Sequence, residues 1–277
     1  GGTMVLDLPD WPSTLRQAGP DWNTTLNHFV GPLLFMPLVD LDPVSLDFVP
    51  SLATHWWMSP DRRTYRFRIN PEAKWSDGTP VTSQDVIASY NLRTDPSLLD
   101  PSNLDTFGRM FPPVALSKYV VEVQVREENW HNFLYFATAP LLPAHEIGGL
   151  TGTQYNDRYE FAYPSVTGPY QVKPEDIDSG NAIVVSRRAD WWGENNPQWD
   201  GWYNIEKFKY IVIRDPQLRF EKAKKGELDY IFVQKAQWWA EDIPSLDAVR
   251  RGLLIRRKFF TDAPVGLSGL ALNTARP

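Results

Sequence analysis

The chain has 277 residues, a net charge of −6 and no cysteine, with 42% hydrophobic and 22% charged residues. That is globular composition, and it excludes disulfides, thiolate metal sites and cysteine nucleophiles. It also argues against nucleic acid as a partner, which calls for clustered Lys and Arg, and no apolar run approaches the roughly 20 residues of a membrane span.

The opening "GGTMVLDLPD" reads as a strand over residues 3–8, with no charged and apolar leader pattern. A polar, proline-broken loop follows. "TLNHFVGPLLFMPLVDLDP" has helical apolar spacing, and we expect that helix to break near Pro32, because proline cannot continue the backbone ladder. "HWWM" (55–58) and "TYRFRIN" (64–70) flank the turn "SPDRR" and predict a hairpin. In the second strand Tyr65, Phe67 and Ile69 alternate with Arg66 and Arg68.

The stretch "AKWSDGTPVTSQDV" (73–86) sets Asp77 and Asp85 beside Trp75, which invites a sugar-binding or catalytic reading. The structural reading is stronger. Asp77-Gly78 favours a tight turn, and Thr82 with Asp85 three residues on forms a capping box for a helix through Val86, Ile87 and Tyr90. "YVVEVQVRE" (119–127) is a second alternating strand, and a helix is expected from Asn129 to near Pro140. Residues 167–176, 181–188 and 208–215 read as strands. Asp215 caps a helix with Pro216 at its first position and Gly226 as its stop. Strands are expected again at 228–233, 253–260 and 266–273.

The four histidines, His28, His55, His131 and His145, show no paired metal-ligand spacing, so no metal site or cofactor is expected. Neither GxSxG, a P-loop nor GxGxxG occurs. A glycosidase would need two carboxylates across a cleft, and Asp77 and Asp85 are better explained by backbone work. No catalytic residue is assigned. The 12 tryptophans suit both core and ligand clefts. Trp56, Trp57, Trp75, Trp191 and Trp192 sit in hairpin or turn contexts and read as core.

The order of the landmarks carries a resemblance. Leu52 to Leu92, with Trp56, Thr64, Tyr65, Phe67, Lys74, Trp75, Asp77, Gly78, Pro80, Thr82, Asp85 and Ser89, resembles the signature region of the family-5 extracellular solute-binding proteins. These are the peptide-, nickel- and opine-binding subunits of ABC importers. "PLLPAHEI" (140–147), "TGPYQV" (167–172), "RRADWWGE" (187–194), "KAKKGELDY" (222–230) and "LALNTARP" (270–277) resemble later landmarks of that family in the same order. Ser83 stands where the family has alanine. The branch that binds long peptides and microcin C-type antibiotics is the most similar.

The resemblance implies a mixed α/β (α+β) fold. It would be a lobe of the type II periplasmic-binding-protein kind, with a helix-flanked mixed sheet and an antiparallel subdomain over about residues 40–165. It implies that residues 1–277 are the first of two lobes, with the second absent after Pro277 and a signal sequence trimmed before "GGT". The expected role is extracytoplasmic capture of a peptide or similar small solute between lobes, for delivery to a membrane permease. The protein would be secreted or a lipoprotein, with dimerisation through surface that the missing lobe would cover. Relatives take peptides, nickel complexes, haem, opines or oligosaccharides. The ligand contacts implied are Trp11, Ser13 and Thr14 after the first strand, Gln234, Trp238 and Trp239 after "DYIFV", and Ser268, Leu270 and Asn273 on the crossover strand. Each also has a bland reading: tryptophans are more often core, and Asn273 suits a hinge. The reading from another class is an aromatic-rich carbohydrate-binding module or secreted glycoside hydrolase.

Overall fold

The structure is a computed structural model describing residues 1–233, 235–258 and 260. In chain order the first half runs β1 (Thr3–Leu8), α1 (Thr25–Leu34), β2 (Val39–Leu41), β3 (Phe48–Pro50), β4 (Ala53–Met58), β5 (Thr64–Ile69), α2 (Ser83–Arg93), α3 (Pro101–Gly108), β6 (Val114–Ser117) and β7 (Val120–Gln124). The second half runs α4 (Trp130–Ala137), α5 (Ala144–Ile147), α6 (Gly152–Arg158), β8 (Tyr170–Gln171), β9 (Ile177–Asp178), β10 (Ala182–Arg187), β11 (Lys207–Val212) and α7 (Pro216–Lys224).

Two larger sheets result. The first has the order β1-β11-β10-β8, with β9 also on β10. Here β1 and β11 are parallel, Thr3 opposite Lys207 and Leu8 opposite Val212, while β10 is antiparallel to β11. The second sheet is an antiparallel meander, β4-β5-β7-β6, and β2 and β3 pair by themselves. A mixed sheet with a parallel pair, beside an antiparallel sheet, is the fold class expected from the sequence.

Alternation explains the second sheet. Tyr65, Phe67 and Ile69 of β5 are buried together with Val121 and Val123 of β7, while Arg66 and Arg68 face solvent. Helix α4 covers that face: Phe133 stacks on Phe67 at 5.8 Å and meets Tyr65 edge-on at 5.4 Å. Each ring so buried contributes about 2–3 kcal/mol. One main core joins both sheets, and two small clusters gather around α7.

The capping box stands as read: the Thr82 hydroxyl accepts from Gln84 N–H, and the Asp85 carboxylate accepts from Thr82 N–H at 2.6 Å. Asn129 caps α4, and Asp215 caps α7 with Pro216 at the first position.

Four expectations are corrected. Helix α1 runs through Pro32 to Leu34: the proline removes one ladder bond, and Phe35 N–H closes the end on Gly31 O at 2.8 Å. Residues 228–233 form no strand. Asp229 N–H reaches Val5 O at 2.9 Å, but the Asp229 carboxylate takes Val5 N–H at 2.7 Å. A side chain thus occupies the acceptor position that a strand's carbonyl would fill. Residues 253–258 also form no strand, since Leu253 and Leu254 bond back to Ala248 O after the left-handed Gly252. Trp57 is not core: it is 47% exposed, with the Arg66 guanidinium 5.0 Å from its ring centre. The expected strand at 266–273 lies outside the described residues.

Candidate functional site

In open α/β sheets ligands meet the protein beyond the carboxyl ends of parallel strands. Here those ends are Leu8 and Val212, which stand opposite each other in register. The chain leaves β1 as Pro9-Asp10-Trp11-Pro12-Ser13-Thr14 and leaves β11 as Ile213-Arg214-Asp215-Pro216. Asp10 and Arg214, each two residues past its strand, form an ion pair at 3.0 Å across this rim. Both are about 70% exposed, so the pair contributes little to stability and stays available to a ligand.

The loop after β1 separates its residues by burial. Trp11 is half-buried against the main core, and its amide donates to the Asp10 carboxylate at 3.0 Å. Ser13 is exposed, its hydroxyl directed at Asp21 O at 3.3 Å. Thr14 is buried; its hydroxyl donates to Glu160 O at 2.8 Å and accepts from Arg16 N–H at 3.2 Å. Asn27, from α1, ties the loop down by donating to the carbonyls of Thr14, Arg16 and Trp22. Thr14 therefore holds the loop, while Trp11 and Ser13 present it.

Beyond α7, Trp238 and Trp239 begin a π-helical turn, Trp238–Asp242. Adjacent indoles diverge, as the sequence reading required. Trp238 is buried and stacks on Phe220 of α7 at 4.3 Å and 3°. Trp239 is half-exposed, with Arg256 and Lys258 over its ring at 5.3 Å and 5.8 Å. Gln234, Ser268, Leu270 and Asn273 lie outside the described residues.

Beside the rim runs an apolar groove of about 490 Å³, lined by Met4 and Leu6 of β1, Phe29 of α1, Phe208 and Tyr210 of β11, and Phe232. Phe29 and Tyr210 stack at 6.4 Å, and Tyr230 and Phe232 are exposed at its edge. One ion pair, Arg219–Asp7 at 2.9 Å, lies within it, and the buried Arg219 Nε has no partner among the described residues. Sequence reading missed Asp10, Arg214, Asp7 and Arg219. Their signal depends on pairing between strands two hundred residues apart, which local pattern does not carry.

The tempting carboxylates are engaged elsewhere. Asp85 accepts from Thr82 N–H and, at 2.8 Å, from Ala144 N–H; burial raises its pKa above the usual value despite these bonds. Burial also acts to raise Asp77, but bonds from Thr79 and His145 outweigh it and hold the carboxyl below its usual value. Glu146 accepts from Tyr159 Oη at 3.0 Å and Ser165 N–H at 2.8 Å. Ligand atoms of Asp77, His145 and Glu146 lie within 4.8 Å of one another, a nitrogen-and-oxygen set of the kind divalent transition metals accept. The sequence reading had left these residues apart.

The bacterial extracellular solute-binding proteins, family 5 middle, match residues 47–277. A putative binding protein of Brucella melitensis is 32% identical over 222 residues, 79% of this chain and 35% of its own length. The peptidoglycan-binding protein YepA of Agrobacterium fabrum is 30% identical over 251 residues, 85% of this chain and 38% of its own length. The oligopeptide-binding protein AppA of Bacillus subtilis, solved with a nonapeptide, superposes with a TM-score of 0.72 at 18% identity, covering 89% of this chain and 46% of its own. The chain thus spans a little over a third of the length of the curated relatives it matches. Among the described residues no helix is long and apolar enough to cross a membrane.

Proposed function

The chain belongs to the bacterial extracellular solute-binding proteins, family 5, and from that premise we propose that it captures oligopeptides, outside the cytoplasm, for an ABC importer. The observation that carries the reading is the rim itself. Two parallel strands end in register, and past them stand an exposed ion pair, an exposed hydroxyl and a half-buried indole. Such a rim offers a charged anchor for one end of a peptide, Arg214 for a carboxylate or Asp10 for an ammonium group, the two being only 3.0 Å apart.

The function proposed is binding without turnover. Peptide main chain would be held by backbone and hydroxyl groups near Ser13 and along the crossover residues Ser268, Leu270 and Asn273. Side chains would enter roomy, partly wet pockets walled by Trp11 and Trp239, with Gln234 alongside. Thr14 and Trp238, both buried, position these groups. A peptide is preferred over the other solutes of the family because two sequence relatives are a peptidoglycan-binding protein and a probable peptide-binding protein. Closure of a second lobe over the rim would bury the ligand and present the closed form to a membrane permease.

Native mass spectrometry of the natural protein at its full length, mixed with a peptide pool, tests this. One-to-one peptide adducts of unchanged peptide mass support it. Adducts only with cello-oligosaccharides, or cleaved peptides, refute it.

A further inference from the structure

Apart from the Asp10–Arg214 pair, α1, the β2–β3 hairpin and the turn at residues 197–203 border an open cavity of about 730 Å³, a size typical of small-molecule sites. Trp22, Trp199, Trp202 and Tyr203 line it, and Asp40 of β2 stands among them. The third wall is preorganised. Trp191 and Trp192 both donate their indole N–H to Thr167 O, at 3.0 Å and 2.9 Å, and Trp199 packs on them with ring centres at 4.9 Å and 5.4 Å. Gln198 Nε2 donates to Pro50 O and so ties this turn to β3. Tyr203 holds a left-handed backbone, φ +55°, a strained conformation for a bulky residue.

The charge inside is one-sided. The ionisable side chains lining the cavity, besides Tyr203, are Asp40, Asp42 and His28. Asp42 is spent on its turn, accepting from the amides of Val44 and Ser45. His28 Nε2 is engaged by the Asn23 side chain. Asp40 accepts one bond, from Leu41 N–H at 2.8 Å, and no ion pair of Asp40 occurs among the described residues. Burial by the cavity walls raises its pKa, although its carboxylate still opens to solvent through the mouth. Tyr203, which lines the same cavity as Asp40, is pushed up to about 12, first by burial and then by the charge of Asp40.

We infer that this cavity is a second binding site, for an organic cation seated against the indole faces with its charge directed at Asp40. A quaternary ammonium or guanidinium group satisfies both features: aromatic faces attract cations, and the positive charge offsets a carboxylate that lacks a counter-ion. A neutral sugar would stack on the rings but leave Asp40 uncompensated. An anion would be repelled. The same chemistry is carried by a free quaternary ammonium compound and by a basic peptide side chain.

Calorimetric titration of the full chain separates these cases, using choline, its uncharged isostere 3,3-dimethylbutan-1-ol, and acetylarginine amide. The expected result is a preference of about tenfold or more for a cation over the uncharged isostere. That preference should disappear in Asp40→Asn, and cation binding should weaken in Trp202→Ala, whose exposed ring makes it safe for folding. Tighter choline than acetylarginine amide assigns the site to free quaternary ammonium compounds; the reverse order assigns it to basic side chains. Equal binding of choline and its isostere, no binding of either cation, or an unchanged preference in Asp40→Asn overturns the proposal. The rim plays no part in this experiment, so its outcome is separate from that of the peptide reading.

Discussion

The carboxylate of Asp77 accepts a hydrogen bond from Nε2 of His145 at 2.6 Å, across 68 residues of sequence. The bond pins the turn Trp75–Thr79 to helix α5 and so fixes how the second sheet meets the segment leading back to the first. Because Thr79 and His145 hold the Asp77 pKa below its ordinary 3.8, the sign is set: this carboxylate adds stability above that value, and the contribution is lost as pH falls through the lower folded pKa. Thermal midpoints measured between about pH 6 and pH 2 should show wild type ahead of Asp77→Asn at the upper end, with the gap narrowing below about pH 4.

Asp85 has the opposite sign and a larger structural role. Its raised pKa makes its charge a cost that grows above 3.8, yet it accepts from two backbone amides, of Thr82 and Ala144. Asp85→Ala leaves both amides without acceptors and should cost about 3 kcal/mol. Asp85→Asn restores one acceptor and should cost less. Chemical denaturation midpoints give the order wild type, then Asn, then Ala.

Gly168 opens the turn into β8 with its amide on Leu34 O at 2.8 Å. A Cβ there would lie 2.2 Å from Leu33 O, a backbone atom that cannot swing aside. Gly168→Ala should therefore destabilise by about 2 kcal/mol, measured as a lower urea midpoint with an unchanged slope.

The Phe220–Trp238 stack anchors the segment after α7. Phe220→Ala should leave the two sheets intact and release Trp238. A red shift of tryptophan emission and faster proteolysis beyond Gly226, with far-ultraviolet dichroism preserved, is the expected signature, at a cost of about 3 kcal/mol.

What the sequence disclosed and what it hid divide by range. The capping box at Thr82 and Asp85, the alternation of Tyr65, Phe67 and Ile69, and the Asp215-Pro216 start of α7 are set within a few residues, so they were readable. The strand expected at 228–233 had the right composition, but its ladder depends on Val5, whose amide the Asp229 side chain captures. The helix break at Pro32 was overread, since one lost bond is tolerable in a helix packed on both sheets' core. At the candidate rim, the position of Trp11 and Ser13 just after a strand is legible in the sequence, while their role there is a proposal. Asp10 with Arg214, and Asp77 with His145, were not, because each pair exists only once distant strands or helices have docked.

The most direct test of the central claim is calorimetric titration of the natural full-length protein with its best peptide ligand, comparing wild type with Trp11→Ala and with the exposed control Trp57→Ala. The account predicts one-to-one peptide binding that weakens about tenfold or more in Trp11→Ala and is unchanged in Trp57→Ala. Absence of peptide binding in wild type, or equal affinity in all three proteins, would contradict it.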